Sequence, residues 1–177
     1  SVNHVSHDHS YCCTLSIDVC KEHDEPGPKW GEECEEFHKK RLRRRDKDAE
    51  KLGIPLLMSE FGACMDTEEC AREIQQVTSA CDEHLVGWAY WQFKKFKDLT
   101  TTAMGSPEGF YNDDGTLQPL KVRALTRTYI QRAQGTVESM KFNHTTGEFE
   151  GQFRLNTNVQ AFTVVYIGEV IKGMTNY

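Results

Sequence analysis

Two spacings of apolar residues alternate along the first half of the chain. From about Glu32 to Leu52 neither Pro nor Gly interrupts a helix-favouring stretch, with Phe37, Leu42, Ala49 and Leu52 as its apolar markers. Gly53 is placed to end it, because glycine enters the left-handed region without a Cβ penalty. "IPLLMSE", Ile54–Glu60, follows as a continuous apolar run that finishes on a carboxylate, the texture of a strand buried on both faces. Thr67–His84 returns to helical spacing through Ala71, Ile74, Val77 and Ala80, with Thr67 or Asp66 as N-cap and Glu68 and Glu69 in the first turn. "LVGWAYWQF" is the next strand. Ahead of these, "YCCTLSIDV" is a strand or a loop, and Pro26-Gly27-Pro28 marks a break. The order helix, strand, helix, strand with short links predicts an α/β fold, a parallel sheet with covering helices.

The second half changes texture. A loop rich in Gly, Pro, Asn and Asp ("MGSPEGFYNDDGTLQP") leads to a short helical piece near Leu120–Thr128. "TVESMKF" and "EFEGQFRL" then face each other across "NHTTG" as a hairpin, and "VQAFTVVYI" supplies a third strand. Phe142, Phe149 and Phe153 are read as core. Three or four strands fall short of a sandwich, so the unit is expected to be cut short at Tyr177. The chain opens Ser-Val-Asn, without an initiator Met or the layout of a signal peptide, which suggests a processed product or a fragment.

Composition narrows the function classes. The 177 residues are 38% hydrophobic and 27% charged, an ordinary globular mixture. A formal net charge of −6 argues against a nucleic-acid partner, because neutralising phosphates needs clustered Lys and Arg. The basic run Lys39–Lys47 follows the acidic "EECEE" on the same expected helix and reads as a solvated, charge-striped face. No apolar run approaches the roughly 20 residues that span a bilayer. Seven cysteines cannot all pair internally. Cys64 and Cys70 flank the short turn "CMDTEEC" and can close as a local disulfide, and the leftover cysteine fits a partner outside the segment. With neither a CxxC pair nor paired histidine spacing, no metal and no cofactor are expected. Asn143-His144-Thr145 is an N-glycosylation sequon. The cysteines and the sequon together favour a secreted or lysosomal setting.

The candidate chemistry sits where two consecutive strands finish. One ends at Glu60. The other carries Trp88, Tyr90 and Trp91, with Lys94 just beyond. In a parallel α/β barrel the active site lies at the carboxyl ends of the strands. A carboxylate beside an aromatic wall suits a sugar ring, whose C–H faces pack on aromatics while the carboxylate acts at the anomeric carbon. By strand alternation Trp88 and Tyr90 share one face and Trp91 the other, and periodicity does not say which face meets a site.

"LLMSEFGA" resembles the nucleophile strand of glycoside hydrolase family 5 barrels, where a glutamate ends the seventh strand before Phe-Gly. "GWAYWQFK" resembles the eighth strand, and "DHSYC" the His-x-Tyr segment after the sixth, mapping to His9 and Tyr11. The nearest likeness within the family is the endoglycoceramidase and glucosylceramidase branch, where a linker like "RALTRTYIQRAQGTVESMKFNHTTGEFEGQFRL" leads into a small β-sandwich. The resemblance covers nearly the whole chain. It implies the C-terminal part of a (β/α)8 TIM barrel over residues 1–128, followed over 129–177 by a truncated antiparallel β-sandwich.

The same resemblance implies a retaining β-glycoside hydrolase with Glu60 as nucleophile, its partner carboxyl only ~5 Å away. Tyr11 would hold the nucleophile in its attacking orientation, His9 line the subsite, Trp91 floor the sugar and Lys94 make a polar contact to it. His9 lies in "HVSHDHS", where three histidines compete for one role. The family keeps its acid/base in an Asn-Glu-Pro segment after the fourth strand. The Asp24-Glu25-Pro26 of this chain falls between the sixth and seventh strands, so Glu25 is not assigned the role. A barrel of this type needs roughly 250 residues. The acid/base is therefore expected upstream of Ser1, and the chain alone is expected to be inactive and poorly stable. The implied substrates are a glycolipid, or a β-glucan or oligosaccharide, with peripheral contact to membrane lipid in the glycolipid case; the oligomeric state is not indicated. A non-catalytic carbohydrate- or glycolipid-binding module is the alternative, and a cysteine-rich structural protein a weaker one.

Overall fold

The computed structural model describes residues 4–21, 25–94 and 108–168. It divides into two compact units, Ser1–Ala124 and Leu125–Tyr177. The first contains β1 (Ser6–Ser10), α1 (Gly31–Leu52), β2 (Leu56–Phe61), α2 (Glu68–Glu83) and β3 (Gly87–Trp88), with α3 (Pro119–Leu125) at its end. The strands form one parallel sheet in the order β1-β2-β3. Parallel neighbours require crossovers, and the α1 and α2 segments supply them.

Each helix has a local reason to start and stop. Gly53 ends α1 at φ 64°, its N–H reaching the carbonyls of Ala49 and Glu50. Thr67 opens α2: its side-chain oxygen accepts from the N–H of Cys70 at 3.1 Å. Asp66, the other candidate cap, serves a different helix. Its Oδ1 accepts from the N–H of Leu120 and of Lys121, the first turn of α3, at 3.1 and 3.2 Å. Leu42 and Ala49 from α1 are buried, as are Ile74, Val77 and Ala80 from α2 and Leu56, Met58 and Phe61 from β2.

The structure departs from the hydrophobic pattern at two strands. The first strand lies in the polar "SHDHS", and the apolar "YCCTLSIDV" instead forms a short 3-10 turn at Cys12–Thr14 and a loop. Two disulfides explain the loop, Cys12–Cys34 and Cys13–Cys20, because they hold it without ladder hydrogen bonds. The strand tolerates its polarity because His7 and His9 are exposed. The expected strand "LVGWAYWQF" is regular only at Gly87–Trp88. Its backbone nonetheless stays beside β2, through Ala89 N–H to Met58 O at 2.9 Å and Trp91 N–H to Phe61 O at 2.8 Å.

Cysteine usage is also rearranged. Cys64 and Cys70 form a third disulfide around the turn that precedes α2. The seventh cysteine, Cys81, is fully buried on α2 outside any disulfide.

The second unit pairs β4 (Tyr129–Arg132) with β7 (Val164–Tyr166), and β5 (Gly135–Phe142) with β6 (Phe149–Leu155), both antiparallel. The hairpin matches the sequence reading, its turn closed by Asn143 N–H to Glu148 O and Gly147 N–H to Asn143 O. The expected third strand pairs with β4. Ile130 of β4 reaches Met140 of β5, its N–H donating to the sulfur at 3.4 Å. Phe142 is buried as read. Phe149 is half-buried and Phe153 exposed, so the hairpin's second strand presents apolar side chains to solvent within the described residues.

Two measurements check this account. Thr67→Ala removes the α2 cap and also one partner of the buried Glu25, and is expected to cost about 1–2 kcal/mol in urea unfolding, with Thr67→Ser close to the parent. Burial, and then the charge of Arg127, pulls His144 down from 6.5 to about 4. The unfolded chain then takes up this proton first as pH falls from about 6.5 to about 4, so the contribution of His144 to folding stability should decline across that window and level off below it. His144→Phe should flatten that part of the stability-versus-pH curve.

Candidate active site

Glu60 owes its orientation to one extra residue in β2. Ser6, His7 and Asp8 stand beside Leu56, Leu57 and Met58, but His9 and Ser10 stand beside Glu60 and Phe61, so Ser59 is inserted. Strict alternation would send Glu60 to the face of Leu56 and Met58, both buried. The insertion resets the alternation. Leu56, Met58 and Phe61 are then buried, while Leu57, Ser59 and Glu60 remain partly exposed.

His7 and His9 carry the matching open face of β1. His7 Nδ1 lies 3.1 Å from Ser59 Oγ, and His9 Nδ1 lies 3.5 Å from Glu60 Oε1. Of the histidines in "HVSHDHS", it is therefore His9 that meets the carboxylate. Tyr11 completes the group: its hydroxyl donates to Glu60 Oε1 at 2.9 Å. Burial, reinforced by that hydrogen bond and the neighbouring carboxylate, raises the Tyr11 phenol far above its ordinary range. It therefore remains a hydrogen-bond donor at neutral pH. The Glu60 side chain is 28% exposed, so one oxygen is held while the carboxylate stays open to a ligand.

The backbone beyond Glu60 folds back sharply to meet the aromatic strand. Gly62 has φ 105° and Ala63 φ 52°, and Ala63 N–H donates to Trp91 O at 2.7 Å. A Cβ on Gly62 would sit 2.1 Å from Tyr90 Cε2, so only glycine fits against that ring. Gly62 and Trp91 form a parallel bridge, which sets Trp91 two positions from Glu60 on the neighbouring strand. Trp88 and Tyr90 pack edge-on against Phe61, each with ring centroids 5.7 Å away, on the buried side. The structure thus gathers Glu60, Tyr11 and His9, with Trp91 on the adjoining strand. Lys94 is exposed three residues further on, outside the hydrogen bonds that fix Glu60.

Glu108 is the residue that sequence reasoning missed. Only 4% exposed, it accepts at Oε2 from the indole N–H of Trp91 at 3.1 Å and from Gln92 Nε2 at 3.5 Å, while its carbonyl accepts from the Tyr90 hydroxyl at 3.0 Å. It locks the tryptophan's edge, and its charge adds to the upward shift of Tyr11. Nothing in "MGSPEGFYN" distinguishes it, because its partners Trp91 and Gln92 belong to a different stretch of the chain. Glu25, not assigned a catalytic role, is 3% exposed and accepts from Thr67 Oγ1 at 2.8 Å and Met65 N–H at 3.2 Å. It ties down the turn before α2. Arg41 and Arg45 of the basic run also have partners: both reach Asp8, at 2.7 and 3.2 Å, and join α1 to β1. Among the described residues, no three His, Cys, Asp or Glu side chains gather as a metal site.

Comparison with known proteins adds a family context. No protein-family model matches the chain. It is 22% identical over 144 residues to the endoglycoceramidase of Cyanea nozakii, an alignment covering 80% of this chain and 29% of that protein. Its fold matches endo-glycoceramidase II from Rhodococcus sp., solved as a lactosyl-enzyme intermediate, with a TM-score of 0.65 at 19% identity over 93% of this chain and 32% of that one. The same enzyme with a cellobiose-like imidazole gives a TM-score of 0.55 at 20% identity, covering 73% and 27%. The chain is similar to endoglycoceramidases. It spans about a third of their length, and the likeness establishes an α/β fold for most of it.

Gly62→Ala tests the close approach behind the site. An alanine there pays about 1–2 kcal/mol for the left-handed backbone and must also displace Tyr90, so a loss of at least about 2 kcal/mol is expected in urea unfolding. An unchanged midpoint would contradict the packing described.

Proposed function

We propose that this chain supplies the nucleophile-bearing part of a retaining β-glycoside hydrolase that cleaves a glycan–ceramide or related β-glucosidic linkage. The observation that carries the reading is the Tyr11–Glu60 hydrogen bond at the carboxyl end of adjacent parallel strands. Glu60 attacks the anomeric carbon and forms a covalent glycosyl–enzyme. Tyr11 holds Oε1 and leaves the other oxygen to attack. His9 lines the subsite, Trp91 is the sugar floor with its edge fixed by Glu108, and Lys94 makes an outer polar contact. The Rhodococcus relative trapped as a lactosyl-enzyme intermediate supports the retaining mechanism and the glycan class.

In this reading the parallel sheet is the C-terminal part of a TIM barrel, and the unit from Leu125 belongs to a β-sandwich. The acid/base comes from a segment outside these residues. Glu25 is committed to Thr67 and Met65, and Glu108 to Trp91 and Gln92, so neither is disposed to protonate a leaving oxygen. The chain by itself does not turn over. Three disulfides fit an oxidising compartment, secreted or lysosomal. Asn143 sits exposed in the hairpin turn, where a glycan is accommodated. A second reading, a carbohydrate- or glycolipid-binding module, draws on the exposed Phe162 and Tyr166 of the second unit.

The test uses the natural chain that carries this segment together with its upstream residues. On a fluorogenic β-glucoside and on a glycosylceramide, Glu60→Gln is expected to lose at least about a thousandfold in kcat, and Tyr11→Phe about a hundredfold. Mass spectrometry of the parent, quenched with a slow 2-fluoro glycoside, should find the sugar on Glu60. Parent-level activity in Glu60→Gln sinks the nucleophile assignment. Binding without turnover in the parent favours the module.

A further inference from the structure

We propose that Ser10, His38 and Glu73 form a buried relay that positions Tyr11 against Glu60. Ser10 Oγ lies 2.7 Å from His38 Nδ1, His38 Nε2 lies 2.7 Å from Glu73 Oε1, and the same Oε1 accepts from the backbone N–H of Cys12 at 3.4 Å. With the ring hydrogen on Nε2, His38 donates to the carboxylate and its Nδ1 accepts the Ser10 hydroxyl, so each ring nitrogen is satisfied. The three side chains are 2%, 2% and 6% exposed.

A serine, a histidine and a glutamate in line invite comparison with a hydrolytic triad, but no substrate reaches a hydroxyl that is 2% exposed. The group is also an expensive way to fill a core. Three apolar side chains of similar size would avoid the desolvation cost of a carboxylate and an imidazole. What the relay provides is direction. Ser10 and Cys12 flank Tyr11 and both are held by α1, one turn apart: Ser10 by His38 through the hydrogen bond, Cys12 by Cys34 through the disulfide. Glu73 adds a tie from α2 to Cys12 N–H. With its neighbours drawn toward the helices, Tyr11 is turned to the opposite side, where Glu60 stands. Ser10 and Phe61 are register partners, so the relay also anchors β1 at the position next to the His9–Glu60 pair.

The inference rests on the glycosidase reading for its activity readout, and the test separates the two. In the natural full-length chain, Ser10→Ala and Glu73→Gln are each expected to lower kcat about tenfold, with KM within about twofold, since positioning errors act on the reacting geometry. Combined with Tyr11→Phe, Ser10→Ala should cost nothing more, because its effect runs through the phenol. Additive losses in that cycle, or parent-level kcat in both single variants, overturn the relay. The Glu60→Gln control stands apart: if it stays active, the glycosidase reading fails. The relay then remains testable by NMR of carbon-labelled tyrosine in the same chain. Ser10→Ala and Glu73→Gln should shift the Tyr11 Cζ resonance at neutral pH as the hydrogen bond to Glu60 loosens, whether or not any glycoside is cleaved. A Tyr11 Cζ resonance unmoved in both variants overturns the relay. Using two variants keeps the test open if one fails to fold, Glu73→Gln being the near-isosteric choice.

Discussion

The register between β1 and β2 is the constraint on which the rest of the site depends. Parallel strands alternate their side chains with a period of two, so a single inserted residue decides which face every later side chain takes. Ser59 is that residue. Without that irregularity, in strict alternation through Ser59, Glu60 would share the face of Leu56 and Met58, which are buried. With it Phe61 enters the core and Glu60 turns to the face of His9 and Tyr11. The same apolar residues that make the strand stable thereby deliver a carboxylate to an open face.

Around that register the chain uses polar groups as fasteners. Asp8 accepts two arginines from α1, Glu25 holds the turn before α2, and Asp66 caps α3 from a distance. Lys121, also buried, donates to Gly109 O at 3.2 Å. Burial pulls it down from 10.5 to about 8, with the negative charges of Asp66, Glu25 and Glu108 resisting the shift. Loops that carry functional side chains need such ties, because they have no ladder of hydrogen bonds of their own. Disulfides do the same work around Tyr11, where two bridges close within the span from Cys12 to Cys34. Each restricts the unfolded chain more than it adds contact to the folded one.

The site joins two mechanical regimes. Its floor is rigid, because Phe61, Trp88, Tyr90 and Phe110 interlock edge to face and at a tilt behind it. The turn just past Glu60 is strained, with left-handed backbone at both Gly62 and Ala63. Strain of this kind persists only where the surroundings over-determine it, here through Ala63 N–H to Trp91 O and the ring of Tyr90 above Gly62. The backbone that follows Glu60 is therefore fixed from both strands.

Much of this was legible in the chain. Helical spacing with Gly53 and Thr67 at its limits fixed α1 and α2, because caps and amphipathic periods are local properties. The apolar run before Glu60 and the Gly147 turn were equally readable. The polar strand "SHDHS" was not, since periodicity reports burial and one face of that strand stays exposed among the described residues. Disulfide pairing, the partners of Asp8, the tie between Glu108 and Trp91 and the buried Ser10–His38–Glu73 line all join residues far apart in sequence. The sequence alone determined the two capped helices and the apolar run that leads into Glu60. Only the tertiary structure decided that Glu60 faces Tyr11, because that direction follows from one inserted residue and from contacts made across many intervening positions.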